Sequence, residues 1–339
     1  MKQRLCICGG GNLGQVIAGY ISAKGKATVS VLTRRPNEWK NDLKTLLPEG
    51  IELTGHLEVV SSNPAIALKD ANIVLFCLPG NANREELLKI KPFVTPEMYV
   101  GCVFASSGFF FEAMNILDAN IPLWGFQRVP FISRIEKYGE RARLMGYKSN
   151  YNIAVEHSEN KEDFRKTIEE LFERPTFLLT NYYEATFTNS NPLLHTSRLY
   201  SLFKDWKEGI YYDHDFLFYE EWTTKAAEIL AAMDNELFAI LDKLPVRQGY
   251  LTPILEYYES TTPEQMAIKI RSLDGLKGIS SPMIETPQGW IPDLGSRYFH
   301  EEFEYSLKYI YEKGKELNIS MPTIEKVFLW GQGMIKRKK

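Results

Sequence analysis

The sequence predicts an α/β fold in which a doubly wound parallel sheet is followed by a separate all-α domain. The chain opens with a short apolar strand that ends in closely spaced glycines, and apolar strands then alternate with helical patterns to about residue 183. Strand patterns disappear from about residue 184 onward. A chain of 339 residues with 44% apolar side chains is long enough for two domains. We therefore expect domains at 1–183 and 184–339.

The first element is the segment 4–14, RLCICGGGNLG, which predicts a strand, a glycine turn and the start of a helix. Gly9, Gly11 and Gly14 have the G-x-G-x-x-G spacing that permits a tight turn, a close approach to a pyrophosphate, and close packing of helix on strand. Free N–H groups at the helix N-terminus favour the anion. The segment therefore predicts a Rossmann-like nucleotide domain, with Asn12 and Leu13 also placed at the cofactor.

The end of the second predicted strand, 27–32, indicates which dinucleotide binds. NAD sites usually have Asp or Glu here, which bonds the ribose 2′-hydroxyl. This chain has Thr33, Arg34 and Arg35 instead, and guanidinium groups bind a 2′-phosphate with paired, charge-assisted hydrogen bonds. The sequence therefore favours NADP(H). NAD(H) stays open, because two solvated arginines on a turn would give the same pattern.

The remaining strands of the first half complete the sheet. The run 73–78, IVLFCL, is typical of a parallel strand buried on both faces. It ends at Pro79, at the carboxyl edge where open α/β sheets bind ligands, so Pro79 is predicted to line the cofactor site. Further strands are expected at 58–61, 99–104, 122–126, 142–156 and 177–179, with some late strands antiparallel. Helices are expected at 65–69, 85–90 and 162–172.

The second half shows helical periodicity. It predicts helices at 263–273 and 301–317, and one helix of about thirty residues over 214–244. A substrate cleft is expected between the two domains.

Composition and charge exclude several classes of function. A net charge of −3 gives no basic surface for nucleic acid, and no apolar run reaches the ~20 residues of a membrane span. The N-terminus does not resemble a signal peptide. The four cysteines fall in predicted buried strands without metal-binding spacing, so we expect a reduced, cytoplasmic protein with no metal site. The basic run 336–339 is interpreted as a solvated tail.

A bound nicotinamide would require a proton donor beside the hydride acceptor, and His195 is the candidate. His195 lies in NSNPLLH at the predicted domain junction, where a lone histidine is otherwise most often structural. A second concentration of unusual residues is GWIPDLGSR at 289–297. Arg297 at its end either binds a substrate carboxylate with paired hydrogen bonds or forms an ordinary ion pair on the surface.

The segments NSNPLLHTSRLY and SSPMIETPQGWIPDLGSRYFHEEF, together with GGGNLG at the start, resemble the opine dehydrogenases of the octopine/nopaline type. The resemblance covers essentially the whole chain in domain order. It implies that His195 is the catalytic acid/base and that Glu302 orients it. It also implies that Arg297 binds the keto-acid carboxylate and that Asn191 lines the cofactor–substrate cleft. The family usually has Asp where this chain has Glu302, so Glu301 is a rival for that role.

The reaction that the resemblance implies is a reductive condensation of two small molecules. The amine of an α-amino acid and an α-keto acid form an imine, which NADPH reduces. One alternative is a 2-keto-acid reductase of the ketopantoate reductase type, which would use a Lys where the stretch 186–200 has none. Another is a non-catalytic NADP(H)-binding sensor. A homodimer is compatible with the aromatic-rich helices, but nothing in the sequence requires one.

Overall fold

The computed structural model describes residues 2–337, so Lys338 and Lys339 of the predicted basic tail lie outside the described residues. The chain forms two compact units that divide between Thr188 and Asn189, five residues after the boundary expected from the sequence. Within 2–337, no helix has the length and hydropathy needed to cross a membrane.

The strands of the first unit form two sheets. They are β1 Gln3–Cys8, β2 Ala27–Leu32, β3 Asp42–Leu46, β4 Glu52–His56, β5 Val59–Ser61, β6 Ile73–Phe76, β7 Tyr99–Cys102, β8 Leu123–Phe126, β9 Phe131–Lys137, β10 Arg141–Tyr147, β11 Tyr151–Glu156 and β12 Thr176–Leu178. The larger sheet has the order β12-β11-β8-β7-β6-β1-β2-β5. Its pairs are parallel except β8 with β11. The late strands β11 and β12 therefore run opposite to the others.

The helices of this unit are α1 Asn12–Ala23, α2 Pro64–Ala67, α3 Gly80–Ile90, α4 Phe109–Ile116, α5 Lys161–Phe172 and α6 Tyr182–Thr186. Short 3₁₀ turns lie at Pro36–Glu38, Lys91–Phe93 and Ala105–Ser107. The apolar stripe of α5, Phe164, Ile168, Leu171 and Phe172, is buried as its periodicity predicts. The strand order of the larger sheet places the ends of β1, β2 and β6 side by side, which is where the glycine turn lies.

A second sheet with the order β4-β3-β10-β9 was not predicted from the sequence. Its strands β3 and β4 are short and polar, and few of their side chains are buried. Helix α1 packs against this sheet on one side and against β1 and β2 on the other. Gly19 on α1 and Gly55 on β4 permit this close approach, because a Cβ on Gly55 would collide with the Gly19 carbonyl oxygen.

The second unit is helical apart from one hairpin. Its helices are α7 Asn191–Phe203, α8 Thr224–Leu241, α9 Ile254–Tyr257, α10 Pro263–Arg271, α11 Arg297–Phe299, a π-helix His300–Leu307, α12 Lys308–Glu316 and α13 Pro322–Lys336, with a 3₁₀ turn at Asp274–Leu276. The hairpin, β13 Met283–Thr286 and β14 Gly289–Pro292, was not expected. Its four-residue strands carry no long apolar run.

The long helix predicted over 214–244 is too long at its N-terminal end. Helix α8 begins at Thr224, and the Thr223 hydroxyl caps it by accepting a hydrogen bond from the Ala226 N–H at 3.1 Å. The preceding residues make turns and isolated bridges instead. The aromatic residues of that segment mimic the helical period because they pack into the core around Trp222.

Candidate functional site

The glycine turn after β1 has the sterics that its spacing predicts. Gly9 has φ of +111°, and a Cβ there would lie 2.7 Å from Leu78 Cδ2. A Cβ on Gly14 would collide with the Gly9 carbonyl oxygen, so a larger residue would push α1 away from the turn. These two glycines are therefore needed by the fold itself.

Gly11 differs from its two neighbours in the motif. It has φ of −75°, which any residue can adopt, and a Cβ there would meet no atom within 4 Å. It lies at the N-cap of α1, where the N–H groups of the first turn have no intrahelical partner. The open space at Gly11 therefore suits a bound anion, and a side chain would fill the place where a pyrophosphate would approach.

A cleft of about 430 Å³ lies over this turn. Its lining includes six of the residues predicted to bind the cofactor, namely Gly9, Gly11, Thr33, Arg34, Arg35 and Pro79. The other three do not line it. Gly14 is buried, Leu13 packs partly against the core, and the Asn12 side-chain oxygen accepts a hydrogen bond from the Ile135 N–H at 2.8 Å. A glycine turn, a helix N-terminus and a cleft of this volume together fit a dinucleotide.

The charges of the cleft are mixed. Arg34, Arg35 and Lys89 are its cations, and Glu85 and Glu86 are its carboxylates. Burial raises the pKa of Glu86, while Lys89 lies 3.6 Å from its Oε1 and Arg34 also favours its charged form. Arg35 Nη1 lies 3.2 Å from Glu38, but both side chains are more than half exposed, so this pair contributes little. The cations outnumber the carboxylates in the lining.

The second unit brings His195 and Glu302 together across 107 residues of sequence. His195 lies on α7 and Glu302 on the π-helix, and His195 Nδ1 is 2.7 Å from Glu302 Oε1. Only 12% of the His195 side chain and 15% of the Glu302 side chain are exposed. Because a carboxylate can only accept, Nδ1 carries the proton and Nε2 is the nitrogen available for proton transfer. This is the arrangement in which a carboxylate stabilises a catalytic imidazolium.

A π-helix carries the carboxylate. The segment His300–Leu307 has the wider i→i+5 turn, and such turns occur frequently at functional sites. Phe303 and Leu307 are its buried residues. A Cβ on Gly331 would collide with the Phe303 ring, so this glycine lets α13 pack closely on the π-helix. The predicted continuous α-helix over 301–317 is thus divided into a π-helical and an α-helical part.

Tyrosines surround the imidazole. The Tyr219 hydroxyl lies 3.1 Å from His195 Nε2, and the ring of Tyr298 meets the imidazole edge-on with centroids 5.0 Å apart. Burial raises the pKa of Tyr219 and of Tyr298, so both remain protonated and able to donate. Tyr219 was not among the site residues predicted from the sequence. Its contact with Nε2 was missed because it depends on the loop before α8.

Arg198, one turn after His195 on α7, fixes that loop. It is buried, its Nε donates to the Phe218 carbonyl at 2.9 Å, and its Nη2 donates to the Leu217 carbonyl at 3.3 Å. Burial lowers the pKa of Arg198 to about 10, so it stays charged at neutral pH. The two carbonyl contacts hold the residues that precede Tyr219. The one sequence signal for this support of the loop was the position of Arg198, three residues after His195 in the same segment.

Arg297 and Asn191, the predicted substrate contacts, are both exposed. Arg297 begins α11, next to Tyr298, and its guanidinium makes no hydrogen bond or ion pair to any residue within 2–337. Asn191 is the first residue of α7, and its N–H donates to Asn189 Oδ1 at 3.2 Å. An unpaired guanidinium is available for a carboxylate. The part of the chain that the structure describes contains no cluster of three side chains suited to a metal ion.

Residues 178–335 match the family model of the α-helical domain of NAD/NADP octopine/nopaline dehydrogenases. Tauropine dehydrogenase of Arabella iricolor is 27% identical over 365 residues, covering 98% of this chain and 92% of the relative. Among solved structures, octopine dehydrogenase with NADH and L-arginine has a TM-score of 0.88 at 22% identity, covering 98% of this chain and 90% of the other. Yersinopine dehydrogenase with NADP⁺ has a TM-score of 0.73 at 16% identity, covering 99% and 91%.

The two structural likenesses show a shared fold, while the family model and the full-length relative add sequence similarity in the same domain order. The match at 178–335 includes His195, Arg297 and Glu302. The helical unit therefore matches the family model of the octopine/nopaline dehydrogenases, and the whole chain is similar in sequence to an opine-type dehydrogenase.

Proposed function

We propose that this chain catalyses the NADP(H)-dependent reductive condensation of an α-amino acid with an α-keto acid, and the reverse oxidation. The observation that carries the proposal is the buried His195–Glu302 pair, in the same helical unit as the unpaired guanidinium of Arg297. The N-terminal unit would bind the dinucleotide, and the helical unit would bind the substrates and supply the acid/base. The similarity to tauropine dehydrogenase supports this reaction class.

Arg297 and the His195–Glu302 pair have separate tasks. Arg297 binds the carboxylate of the keto acid with its paired donors, which fixes the orientation of the electrophilic carbon. His195 Nε2 takes a proton from the substrate ammonium group, so that the amine nitrogen can form its bond to the carbonyl carbon. As this bond forms, the carbonyl π bond breaks and its oxygen takes a second proton from the nitrogen to become a hydroxyl. The imidazolium then donates its proton to this hydroxyl, which leaves as water and gives the protonated imine. Glu302 holds Nδ1–H throughout and stabilises the imidazolium.

Reduction completes the reaction. NADPH, when bound, supplies the hydride that adds to the imine carbon. Asn191, the first residue of α7, would contact the substrates. The Tyr219 hydroxyl is hydrogen-bonded to His195 Nε2 in the structure, so a substrate amine would replace this hydroxyl as the partner of that nitrogen. Product release leaves His195 in the neutral form that the contact with Glu302 selects.

The preference for NADP(H) is inferred from the cleft of the N-terminal unit. Arg34 and Arg35 follow β2, where an NAD site usually has a carboxylate. The carboxylates of the cleft, Glu85 and Glu86, come from α3 instead, and Glu86 is paired with Lys89. The family includes users of both dinucleotides. A cytoplasmic location is inferred from the free, buried thiols of Cys6, Cys8, Cys77 and Cys102, which suit a reducing compartment.

The test is NADPH oxidation with pyruvate, with and without a panel of amino acids, and the same assay with NADH. Oxidation that needs both a keto acid and an amino acid is the expected result, and the panel then identifies the amine. Oxidation with the keto acid alone would indicate a 2-keto-acid reductase instead. Tight NADPH binding without turnover across the panel would favour the sensor.

A further inference from the structure

A tyrosine from the second sheet lines the cofactor cleft. Tyr138 lies in the turn between β9 and β10, and its hydroxyl is 3.3 Å from Thr33 Oγ1 at the end of β2. A Cβ on Gly10 would lie 2.8 Å from the same hydroxyl. The tyrosine hydroxyl therefore lies between the glycine turn and the residues expected to recognise the adenosine ribose.

The guanidinium of Arg35 stacks on the ring of Tyr138. The Arg35 Cζ lies 4.0 Å from the ring centroid, and Trp39 meets the same ring edge-on with centroids 5.8 Å apart. The only other charged contact of Arg35 in residues 2–337 is Glu38, and that pair is exposed. Stacking on a half-buried ring is therefore the contact that orients this guanidinium.

The turn that carries Tyr138 is fixed by a buried side chain. Gln15 on α1 is 1% exposed, its Nε2 donates to the Lys137 carbonyl at 3.0 Å, and its Oε1 accepts from the Gly139 N–H at 2.8 Å. Gly139 has φ of +66°, and a Cβ there would collide with the Glu38 carbonyl oxygen. The turn is thus attached on both sides of Tyr138 to the helix whose N-terminus faces the cleft.

We propose that Tyr138 is a positioning residue for cofactor specificity, which acts by stacking Arg35 so that its guanidinium binds a phosphate on the adenosine ribose. This inference rests on the proposed preference for NADP(H). It gives the second sheet a role in cofactor selection, since β9 and β10 present the turn. The Gln15 contacts on both sides of Tyr138 hold the ring in place, and the ring face orients the guanidinium.

The test is equilibrium binding to the full-length chain of two probes that differ by one group, adenosine 2′,5′-bisphosphate and adenosine 5′-monophosphate. Tyr138→Leu is expected to weaken the bisphosphate by about three- to tenfold, the range expected for loss of a cation–π contact, and to leave the monophosphate nearly unchanged. Tyr138→Phe keeps the ring and is expected to keep the preference. In an Arg35→Ala background, Tyr138→Leu is expected to add no further loss.

A matched control is Tyr147→Leu, because Arg174 stacks on Tyr147 at the same 4.0 Å outside the cleft. It is expected to change neither probe. Equal weakening of both probes by Tyr138→Leu, or no change in either, would overturn the role of Tyr138 while the preference of the wild type for the bisphosphate stands. If the wild type binds both probes equally, the preference for NADP(H) fails, and the inference fails with it.

Discussion

The glycine turn of the N-terminal unit and the His195–Glu302 pair of the helical unit are specified in different ways. The turn is complete within residues 9–14, and its requirements are backbone sterics that Gly9 and Gly14 satisfy locally. The acid/base pair joins residues 107 positions apart, on an α-helix and a π-helix that only packing brings together. Local sterics can be seen in one short segment, whereas a long-range contact needs the whole fold.

The largest expected effect is that of His195→Ala. Loss of the acid/base should lower kcat by roughly 10²–10⁴-fold and leave NADPH affinity almost unchanged, since the dinucleotide cleft lies in the other unit. Steady-state kinetics and fluorescence titration of NADPH measure the two quantities. His300→Ala is the matched control, because His300 pairs with Glu304 on the same π-helix. Equal losses in the two variants would contradict the role of His195.

Glu302→Gln should come next. The amide keeps the shape of the side chain but removes the charge that stabilises the imidazolium, so kcat is expected to fall, by less than in His195→Ala and by no more than the roughly 10⁴-fold seen for a triad carboxylate. Glu302→Asp should retain more activity than Glu302→Gln, since it keeps the charge on a shorter side chain. The control is Glu304→Gln. Activity in Glu302→Gln close to that of the wild type would return Glu301 to consideration.

Arg297→Ala separates binding from proton transfer within the helical unit. Losing a charged hydrogen-bond pair should raise KM for the keto acid by about 10- to 100-fold. KM for the amine should change far less. Initial rates with each substrate varied in turn give both values. A similar rise in both would show that Arg297 supports the site as a whole and does not recognise the keto acid.

The smallest effects are expected in the N-terminal unit, where two alanine variants should behave oppositely. Gly11→Ala should weaken NADPH binding by about tenfold with no loss of stability, because its Cβ would enter open space at an allowed φ. Gly14→Ala should lower the free energy of unfolding by about 1–3 kcal/mol, because its Cβ would collide with Gly9. Thermal unfolding without ligand distinguishes them. The reverse pattern would contradict the division between fold and ligand glycines.

The sequence predicted those elements whose structure is determined by a local residue pattern. The strands β1, β2 and β6, the glycine turn and the amphipathic helix α5 follow from runs and periods that a single segment shows. The sheet that contains β3 and β4 was missed because polar, five-residue strands become recognisable only when their partners β9 and β10 are in place. The start of α8 was misplaced because core aromatics imitate the helical period.

The site residues show the same difference between local patterns, which the sequence reveals, and long-range contacts, which it does not. Arg34 and Arg35 were found by their position after β2, but Tyr138 was not, because it reaches the cleft from more than one hundred residues away. His195 and Glu302 were paired by family resemblance. The contact of Tyr219 with His195 and the support from Arg198 depend on an irregular loop whose path no residue pattern indicates.

Reductive condensation is tested most directly by the chemical structure of the product formed with NADPH deuterated at the transferred position. With pyruvate and the amino acid identified by the panel, mass spectrometry should show a secondary amine that joins the two substrates with loss of water. It should carry one deuterium on the carbon that came from the keto group. A deuterated 2-hydroxy acid, with the amino acid recovered unchanged, would contradict reductive condensation.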